Sequence, residues 1–335
     1  MQQRKVLALF SGGLDSILAV KIMLEQGLAV EALNFTSPFF MCKSAKKPGV
    51  SEATRAARQL GVPLKIVELG IEFLNIIKNP RHGYGSGMNP CIDCKIFFLR
   101  QAAAYMATCG ADFIITGEVL GQRPMSQRRD ALRVIERESG LTGLLLRPLS
   151  AKHLPPTLPE QEGWVDREKL LAITGRSRKE QMHLAETLQV GAYPNPAGGC
   201  LLTEPSFLSK IRDVFAHQEE PHPEDFTLLK VGRHFRVGPQ TKVVIGRDER
   251  DNLAMEAMTR PGEVQLRWAE GSSPLALLTG VIQPELLETA AKILLRYTKA
   301  QPGTTCSIKV VRTETNSLMP VVHEFDELRV EDFRI

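Results

Sequence analysis

The sequence predicts an α/β protein: a doubly wound parallel sheet followed by a smaller α+β domain. Three observations lead there. Short apolar runs alternate with helical patterns through Gly117, as in strands covered on both faces and joined by crossover helices. A glycine turn, Ser11-Gly12-Gly13-Leu14-Asp15-Ser16, joins the first apolar run to the first helical pattern. After the acid- and Pro-rich stretch 219–225 the pattern changes to short strands.

Each element follows from local pattern. Val6–Phe10 reads as a strand, Ile17–Gln26 as a helix and Val30–Phe35 as a strand. Ser51–Leu60 is a helix with Glu52, Arg55, Arg58 and Gln59 on its polar face, and Leu64–Leu69 is a strand. A loop over 83–90 leads into a long helix, Lys95–Cys109, and a buried strand, Phe113–Gly117. Ser126–Arg137 reads as a helix, Leu144–Leu149 as a strand and 153–163 as an irregular connection. Helices are expected at Asp166–Thr174, Lys179–Leu188 and Phe207–His217, with a Pro/Gly/Asn-rich loop at 190–199. These elements form a domain over 1–218, with a core at 1–150 and an extension at 151–218. A linker over 219–225 precedes a second domain over 226–335. Its expected strands are Thr227–Val231, Arg233–Val237, Lys242–Gly246, Gly262–Trp268, Ser307–Val311 and Met319–Val322, with a helix at Pro284–Thr298.

Composition narrows the class. A chain of 335 residues, 43% hydrophobic and 24% charged, supports two or three ordinary globular domains. No apolar run reaches the ~18 residues of a transmembrane helix. The N-terminus runs straight into the first strand, leaving no room for a signal peptide. The expected location is therefore the cytoplasm, where the six cysteines read as thiols, metal ligands or catalysts. Net charge is +7 over 1–215 (27 Lys+Arg against 20 Asp+Glu) and −3 over 216–335 (15 against 18), so a nucleic-acid footprint leans on the first part.

The glycine turn has the chemistry of an anion site. Gly12 and Gly13 let the backbone turn tightly with its N–H groups inward. The helix that follows adds unpaired N–H groups and a positive dipole end. Ser11 and Ser16 supply hydroxyl donors, and Asp15 meets an anion through Mg²⁺. No Gly-Lys-Ser/Thr follows, so this is not a Walker loop.

Asn89-Pro90-Cys91-Ile92-Asp93-Cys94-Lys95 places two thiols where a loop becomes a helix. Their spacing turns both sulfurs to one side of the first turn, where the dipole favours thiolate. Cys200, after Gly198-Gly199, is a third candidate; Cys42, Cys109 and Cys306 have plainer contexts as apolar fillers or remote thiols. Three assignments compete: structural zinc, which needs a fourth ligand; a redox dithiol of Cys91 and Cys94; and a [4Fe-4S] cluster on Cys91, Cys94 and Cys200 with one open iron.

SGGLDS resembles the pyrophosphate loop of the N-type ATP pyrophosphatases, which cleave ATP to AMP and pyrophosphate. Asn89-Pro90-Cys91-x-x-Cys94 is similar to a segment of the tRNA 2-thiouridylase family, with Cys91 in place of that family's aspartate. Thr116-Gly117-Glu118-x-x-Gly121-Gln122, followed by Ser126-Gln127, resembles the 4-thiouridine synthetase family. C-x-x-C with a distant third cysteine resembles the iron–sulfur-dependent branch of these thiolases. The similarity covers roughly 4–215, and it implies a sheet of the adenine nucleotide α-hydrolase-like type. Gly232-Arg233-His234-Phe235-Arg236, with Ile245-Gly246-Arg247-Asp248 and Asn252, resembles the RNA-binding domain that ends NFACT proteins.

The resemblance implies a tRNA sulfurtransferase using ATP and Mg²⁺. ATP adenylates a uridine carbonyl oxygen, turning a poor leaving group into a good one, and sulfur then replaces AMP. Ser11, Gly12, Gly13 and Ser16 hold the pyrophosphate and Asp15 holds Mg²⁺. Gly117 lies beside the nucleotide, and backbone at Asn34 and Phe35 supports adenine. Cys91, Cys94 and Cys200 hold a [4Fe-4S] cluster, or Cys94 and Cys200 act as persulfide carrier and resolving thiol. Arg128, Arg129 and Arg133, with Arg233, Arg236 and Arg247, contact RNA phosphates. The implied partners are tRNA and a sulfur donor, either sulfide or a cysteine desulfurase or persulfide carrier. Two other readings keep the loop: an enzyme acting on a non-RNA acceptor, or a non-catalytic nucleotide- and RNA-binding factor.

Overall fold

The structure is a computed structural model describing residues 3–40, 51–191, 193, 200–313, 315–323 and 327–335, the side chains of 327–329 excepted. Gly198, Gly199 and Cys42 lie outside the described residues. The chain divides into two compact units, 1–203 and 204–335.

Unit 1 is built on five parallel strands in the order β3-β2-β1-β4-β5. They are β1 (Lys5–Leu9), β2 (Ala29–Thr36), β3 (Leu64–Glu68), β4 (Phe113–Thr116) and β5 (Leu145–Leu146). The helices are α1 (Leu14–Glu25), α2 (Glu52–Leu60), α3 (Ile71–Lys78), α4 (Cys91–Cys109), α5 (Arg129–Glu138), the short α6 (Leu158–Gln161) and α7 (Lys179–Thr187). Successive strand residues feed opposite faces. Val6, Ala8, Val30, Ala32, Phe113 and Ile115 pack with α1, α2 and Ala185 of α7. Leu7, Leu33, Ile114 and Leu145 pack with Ile96, Leu99 and Ala102 of α4 and Ile135 of α5. The sheet is doubly wound, as expected, and β1 is central. The glycine turn thus leaves the carboxyl end of the middle strand, where open α/β sheets bind ligands.

Two expected elements differ. Asp166–Thr174 forms only a 3₁₀ turn at Arg167–Lys169. Beyond it the chain is claimed by other backbone: Leu171 and Ile173 donate N–H bonds to the carbonyls of Pro148 and Leu149 at 2.9 and 2.8 Å. The sequence reading also passed over α3, whose Phe73, Leu74 and Ile77 are buried.

Unit 2 begins earlier than the sequence suggested. It holds α8 (Pro205–His217), α9 (Pro223–Leu228), β6 (Arg233–Gly238), β7 (Thr241–Ile245), α10 (Glu249–Met258), β8 (Val264–Trp268), β9 (Ala276–Gly280), α11 (Pro284–Leu295), β10 (Thr305–Val311), β11 (Asn316–Val322) and α12 (Glu327–Asp332). The boundary expected at 218 falls at 203 because α8 belongs to this unit. Its Phe215 ring lies 5.5 Å from that of Phe226, and its Asp213 pairs with Arg236. The expected linker 219–225 runs into α9, which also replaces the expected strand Thr227–Val231. Pro223 opens that helix, and the Asp225 carboxylate accepts the His222 N–H at 2.9 Å, a cap that favours helix over strand. The six strands form an antiparallel sheet in the order β11-β10-β8-β9-β7-β6. The apolar side of α11 covers one face and Met255 of α10 packs on the other.

Candidate active site

The turn from β1 into α1 is held open for an anion. Ser16 Oγ donates to the Gly13 carbonyl at 2.8 Å, and the Gly13 N–H reaches Ser11 Oγ at 3.3 Å. No side chain caps the start of α1, so its first N–H groups remain available to a ligand. Gly12 adopts φ +75°, and a Cβ there would meet the Ala53 nitrogen at 2.6 Å. Only glycine permits that approach of α2 to the turn.

Asp15 sits half-buried at the head of α1. Burial pushes its carboxyl above the usual aspartate value, while Arg178, Gln122, Arg123 and Gln181 pull the other way. Gln122 Nε2 stands 3.4 Å from Asp15 Oδ2, and Oδ1 is buried without a hydrogen-bond partner. Gln181 has no exposed surface, lies within electrostatic reach of Asp15, and leaves both its amide atoms unbonded. Arg178 Nε is likewise buried and unpartnered. Unpaired buried polar atoms are costly; these converge on the carboxylate expected to carry a cation, the arrangement of a site that a ligand completes.

Arg178 and Gln181 are functional candidates that the sequence reading missed. They come from the start of α7, over 160 residues from the turn. A tertiary strap delivers them: Leu120 bridges Thr174, and the Gly175 N–H donates to the Leu120 carbonyl at 2.8 Å. Leu120 in turn donates its N–H to Ser150 Oγ at 2.9 Å. Arg-Lys-x-Gln after a glycine carries no local signal of this placement.

Thr116, Gly117 and Glu118 form the neighbouring wall. A Cβ on Gly117 would stand 2.5 Å from the Asp15 carbonyl carbon. Glu118, 2% exposed, accepts from Thr116 Oγ1 and Arg147 Nε, both at 3.1 Å. Lys95 Nζ stands 3.3 Å from its other oxygen. Burial alone would raise the Glu118 carboxyl; Lys95 and Arg147, with the hydrogen bonds from Arg147 and Thr116, outweigh it and hold it below the usual range. This ion cluster ties the thiol helix to the end of β4.

The three expected thiols lie within electrostatic reach of one another. Cys91 and Cys94 open α4, where the Cys94 N–H donates to the Pro90 carbonyl at 2.8 Å. Asn89, 8% exposed, donates its amide to Cys91 Sγ at 3.2 Å and accepts the Gly87 N–H at 3.0 Å. Cys200 arrives because its segment is stitched between two loops. The Leu201 N–H donates to the Phe39 carbonyl at 3.1 Å, and Met88 donates to the Leu202 carbonyl at 2.9 Å. Burial pushes the Cys94 thiol well above its ordinary value; Cys200, Cys91 and Asp93 raise it further and Lys95 opposes them. Cys200 is pushed up to about 11 by burial, with Cys91 adding and Leu202 and Arg123 opposing. Cys109 sits at the end of α4 and Cys306 is buried in unit 2.

Among the described residues no set of three or more His, Cys, Asp or Glu side chains is drawn close enough to hold a metal ion. The zinc assignment, which needs four ligands on one ion, finds no support in that donor set.

Asn34 and Phe35 lie near the carboxyl end of β2. Asn34 Nδ2 donates to the Phe10 carbonyl at 2.7 Å, buttressing the exit of β1, and Phe35 stacks on Phe98 at 5.2 Å. Arg128, Arg129 and Arg133 stand exposed at and along α5, with Arg128 3.2 Å from Asp130.

The basic residues expected to contact RNA in unit 2 divide. Arg236 forms a two-pronged pair with Asp213, at 3.0 and 2.5 Å. Lys242, 5% exposed, lies 4.0 Å from the same carboxylate. Arg247 binds Asp251 at 2.6 Å. Arg236, expected to contact RNA, and its neighbour Lys242 both direct their charge at Asp213. Arg233 instead lies over the Tyr297 ring, 4.8 Å from its centroid.

Unit 1 is a doubly wound parallel α/β domain with a strand–glycine–helix turn at the carboxyl end of its central strand. Unit 2 is a separate antiparallel α+β domain. Residues 1–153 match the family model described as thiamine biosynthesis protein (ThiI), and residues 232–334 match that of the NFACT protein RNA binding domain. The tRNA-specific 2-thiouridylase MnmA of Synechocystis sp. is 32% identical over 165 residues, 46% of this chain and 45% of that protein. The corresponding protein of Rippkaea orientalis is 25% identical over 242 residues, 69% of this chain and 64% of that protein. A crystal structure of a 4-thiouridine synthetase–RNA complex with bound ATP aligns with 68% of this chain and 52% of its own, at 23% identity and TM-score 0.36. The chain spans about half the length of these curated relatives or somewhat more. No helix among the described residues is long and apolar enough to cross a membrane.

Proposed function

We propose that this chain is a tRNA thiolase that adenylates a uridine carbonyl oxygen with ATP and then replaces that oxygen by sulfur. The observation that carries the reading is that Cys91, Cys94 and Cys200 lie within electrostatic reach of one another in the same unit as the anion turn, with the Lys95–Glu118 ion pair joining the thiol helix to the end of β4. The matches to the ThiI and RNA-binding models support it.

Unbonded N–H groups at the start of α1, with Ser11 and Ser16, receive the departing pyrophosphate. Asp15, whose Oδ1 is buried without a partner, would hold Mg²⁺, which would neutralise phosphate charge, and Arg178 lies within electrostatic reach of the same carboxylate. The uridine oxygen attacks the α-phosphorus, pyrophosphate leaves, and the base carries AMP as its leaving group.

For the sulfur step, a [4Fe-4S] cluster would take Cys91, Cys94 and Cys200 as its ligands and would supply an open iron for a substrate sulfur, but these thiols as they stand are not drawn close enough together to hold a metal ion.

A second route needs no cluster. A Cys94 persulfide, loaded by sulfane transfer from an external persulfide donor, attacks the activated carbon and AMP departs. The Cys200 thiolate then attacks Cys94 Sγ, releasing the thiocarbonyl and leaving a Cys94–Cys200 disulfide for an external thiol to reduce.

Pyrophosphate release measured with and without bulk tRNA tests the whole reading. tRNA-stimulated release with AMP formation, and thiouridine in the digested product, is expected. Release indifferent to tRNA makes the acceptor something else, and ATP binding without AMP makes the chain a binding factor. Anaerobic purification with iron and sulfide assay separates the two sulfur routes; iron-free protein that still thiolates selects the persulfide.

A further inference from the structure

Two hollows open on unit 2, and they differ in charge. One is lined by Val231, Arg247, Asp248, Arg250, Asp251 and Ala254, two arginines against two aspartates. The other, of about 410 Å³, is lined by Arg233, Arg296, Tyr297, Val330, Glu331 and Arg334, three arginines against one glutamate. The second is cationic and has an aromatic wall. Arg296 and Arg334 are exposed, and Arg334 pairs with Glu331 at 3.0 Å, an exposed ion pair of the kind that contributes little and exchanges readily.

Arg233 has a particular setting there. Its guanidinium lies over Tyr297, and Nη1 donates to the Gly246 carbonyl at 3.4 Å. The chain end fixes the rim: the Ile335 N–H donates to the His234 carbonyl at 3.1 Å, and Arg236 donates its N–H to Phe333 at 2.7 Å. A guanidinium steadied on an aromatic ring is a platform on which a nucleobase stacks. The remaining arginines suit phosphate oxygens.

We propose that this hollow holds a nucleotide of single-stranded RNA, its base against the Arg233 guanidinium and its phosphates against Arg296 and Arg334. The volume suits a single splayed nucleotide rather than a duplex, whose bases stay stacked. The site rests on the reading that the acceptor is RNA.

The test is fluorescence anisotropy of the full chain with a labelled single-stranded oligouridylate, and with a duplex of the same length, across a salt series. Arg233→Ala should weaken single-strand binding at least about fivefold. Arg233→Lys, which keeps the charge and loses the plane, should not restore it. Arg296→Ala and Arg334→Ala should each lower the salt slope by roughly 0.7. Arg250→Ala removes an exposed arginine of the neutral hollow and should bind like the unmodified chain. Equal losses at Arg250 and Arg334, wild-type binding by Arg233→Ala, or equal dependence of duplex binding on Arg233 would overturn the site while leaving an RNA acceptor standing. An unmodified chain that binds neither RNA would overturn the acceptor reading and the site together.

Discussion

Gly117 and Asp15 meet backbone to backbone: a Cβ on the glycine would lie 2.5 Å from the aspartate's carbonyl carbon and 2.6 Å from the Ser16 nitrogen. The exit of β4 is thereby pressed against the start of α1, and each fixes the other. Gly117→Ala must push the anion turn aside, because backbone on both sides cannot yield cheaply. Overpacking of this kind costs about 1–3 kcal/mol, and ATP-dependent pyrophosphate release should fall at least about tenfold, since small misplacements of reacting groups are costly. Gly70→Ala, where nothing stands within 4 Å of the added methyl, should leave release unchanged. Full activity in Gly117→Ala would mean that the turn does not need this contact.

Arg178 and Gln181 reach the anion turn from the extension. Arg178 Nε and both amide atoms of Gln181 are buried without a close hydrogen-bond partner, and both residues act on the Asp15 carboxylate. Arg178→Ala should weaken Mg·ATP binding and slow pyrophosphate release by about tenfold or more, the scale of one lost charge-assisted hydrogen bond. Gln181→Leu replaces an unbonded buried amide by an apolar group of similar size, so it should raise the melting temperature of the ligand-free chain while weakening nucleotide binding. Calorimetric melting with and without Mg·ATP reads both effects, and a Gln181→Leu chain that loses stability would place the amide in a structural role.

Much of unit 1 was legible because its strands are short apolar runs and α2 and α5 set charged faces opposite buried apolar ones. The turn of Ser11–Ser16 and the pair Cys91–Cys94 were readable because each acts through local spacing. Cys200 was readable only as a candidate; its placement depends on Leu201 and Leu202 bonding to Phe39 and Met88, which no local pattern encodes. Arg178 and Gln181 were invisible for the same reason. In unit 2, Arg236 looked like an RNA contact because sequence counts charges but does not show the partner: Asp213 sits on α8, at a distance in the chain. The boundary moved for the same cause, since α8 looks like the last helix of unit 1 until Phe215 is found against Phe226.

Glu118 makes the acid stability of unit 1 a direct readout of its ion cluster. Its folded pKa lies below the ordinary glutamate value of 4.5. The carboxylate therefore contributes stability that is fully present above 4.5 and is lost as pH falls through the folded value. Glu118→Gln should cost about 3 kcal/mol at pH 7, because Arg147 and Lys95 lose a buried counter-charge. It should also flatten the acid limb of the stability curve. The chain has two tryptophans, Trp164 in unit 1 and Trp268 in unit 2, so Trp268→Phe lets fluorescence report unit 1 alone in urea titrations. Equal stability of Glu118→Gln and the parent at pH 7 would show that the cluster does not hold the helix.

The thiols make the last test, on metal-free protein. Burial and mutual repulsion hold Cys94 and Cys200 in the protonated form, with Cys200 at about 11 against an ordinary 9.0. A rise of that size leaves roughly a hundredth of the ordinary thiolate at pH 7. Iodoacetamide trapping followed by mass spectrometry should therefore find Cys200 slow at neutral pH, with a rate that climbs toward an inflection near pH 11. Lys95 is the cation that opposes the shift at Cys94 and Arg123 the one at Cys200. Lys95→Met should slow Cys94 further and leave Cys200 nearly unchanged, and Arg123→Ala should do the reverse. The two substitutions thus separate charge from burial, because neither removes the apolar surroundings that set most of the shift. If Cys200 reacts at pH 7 as fast as a free thiol in water, its segment does not stay seated between Phe39 and Met88, and the trio of sulfurs is not preassembled.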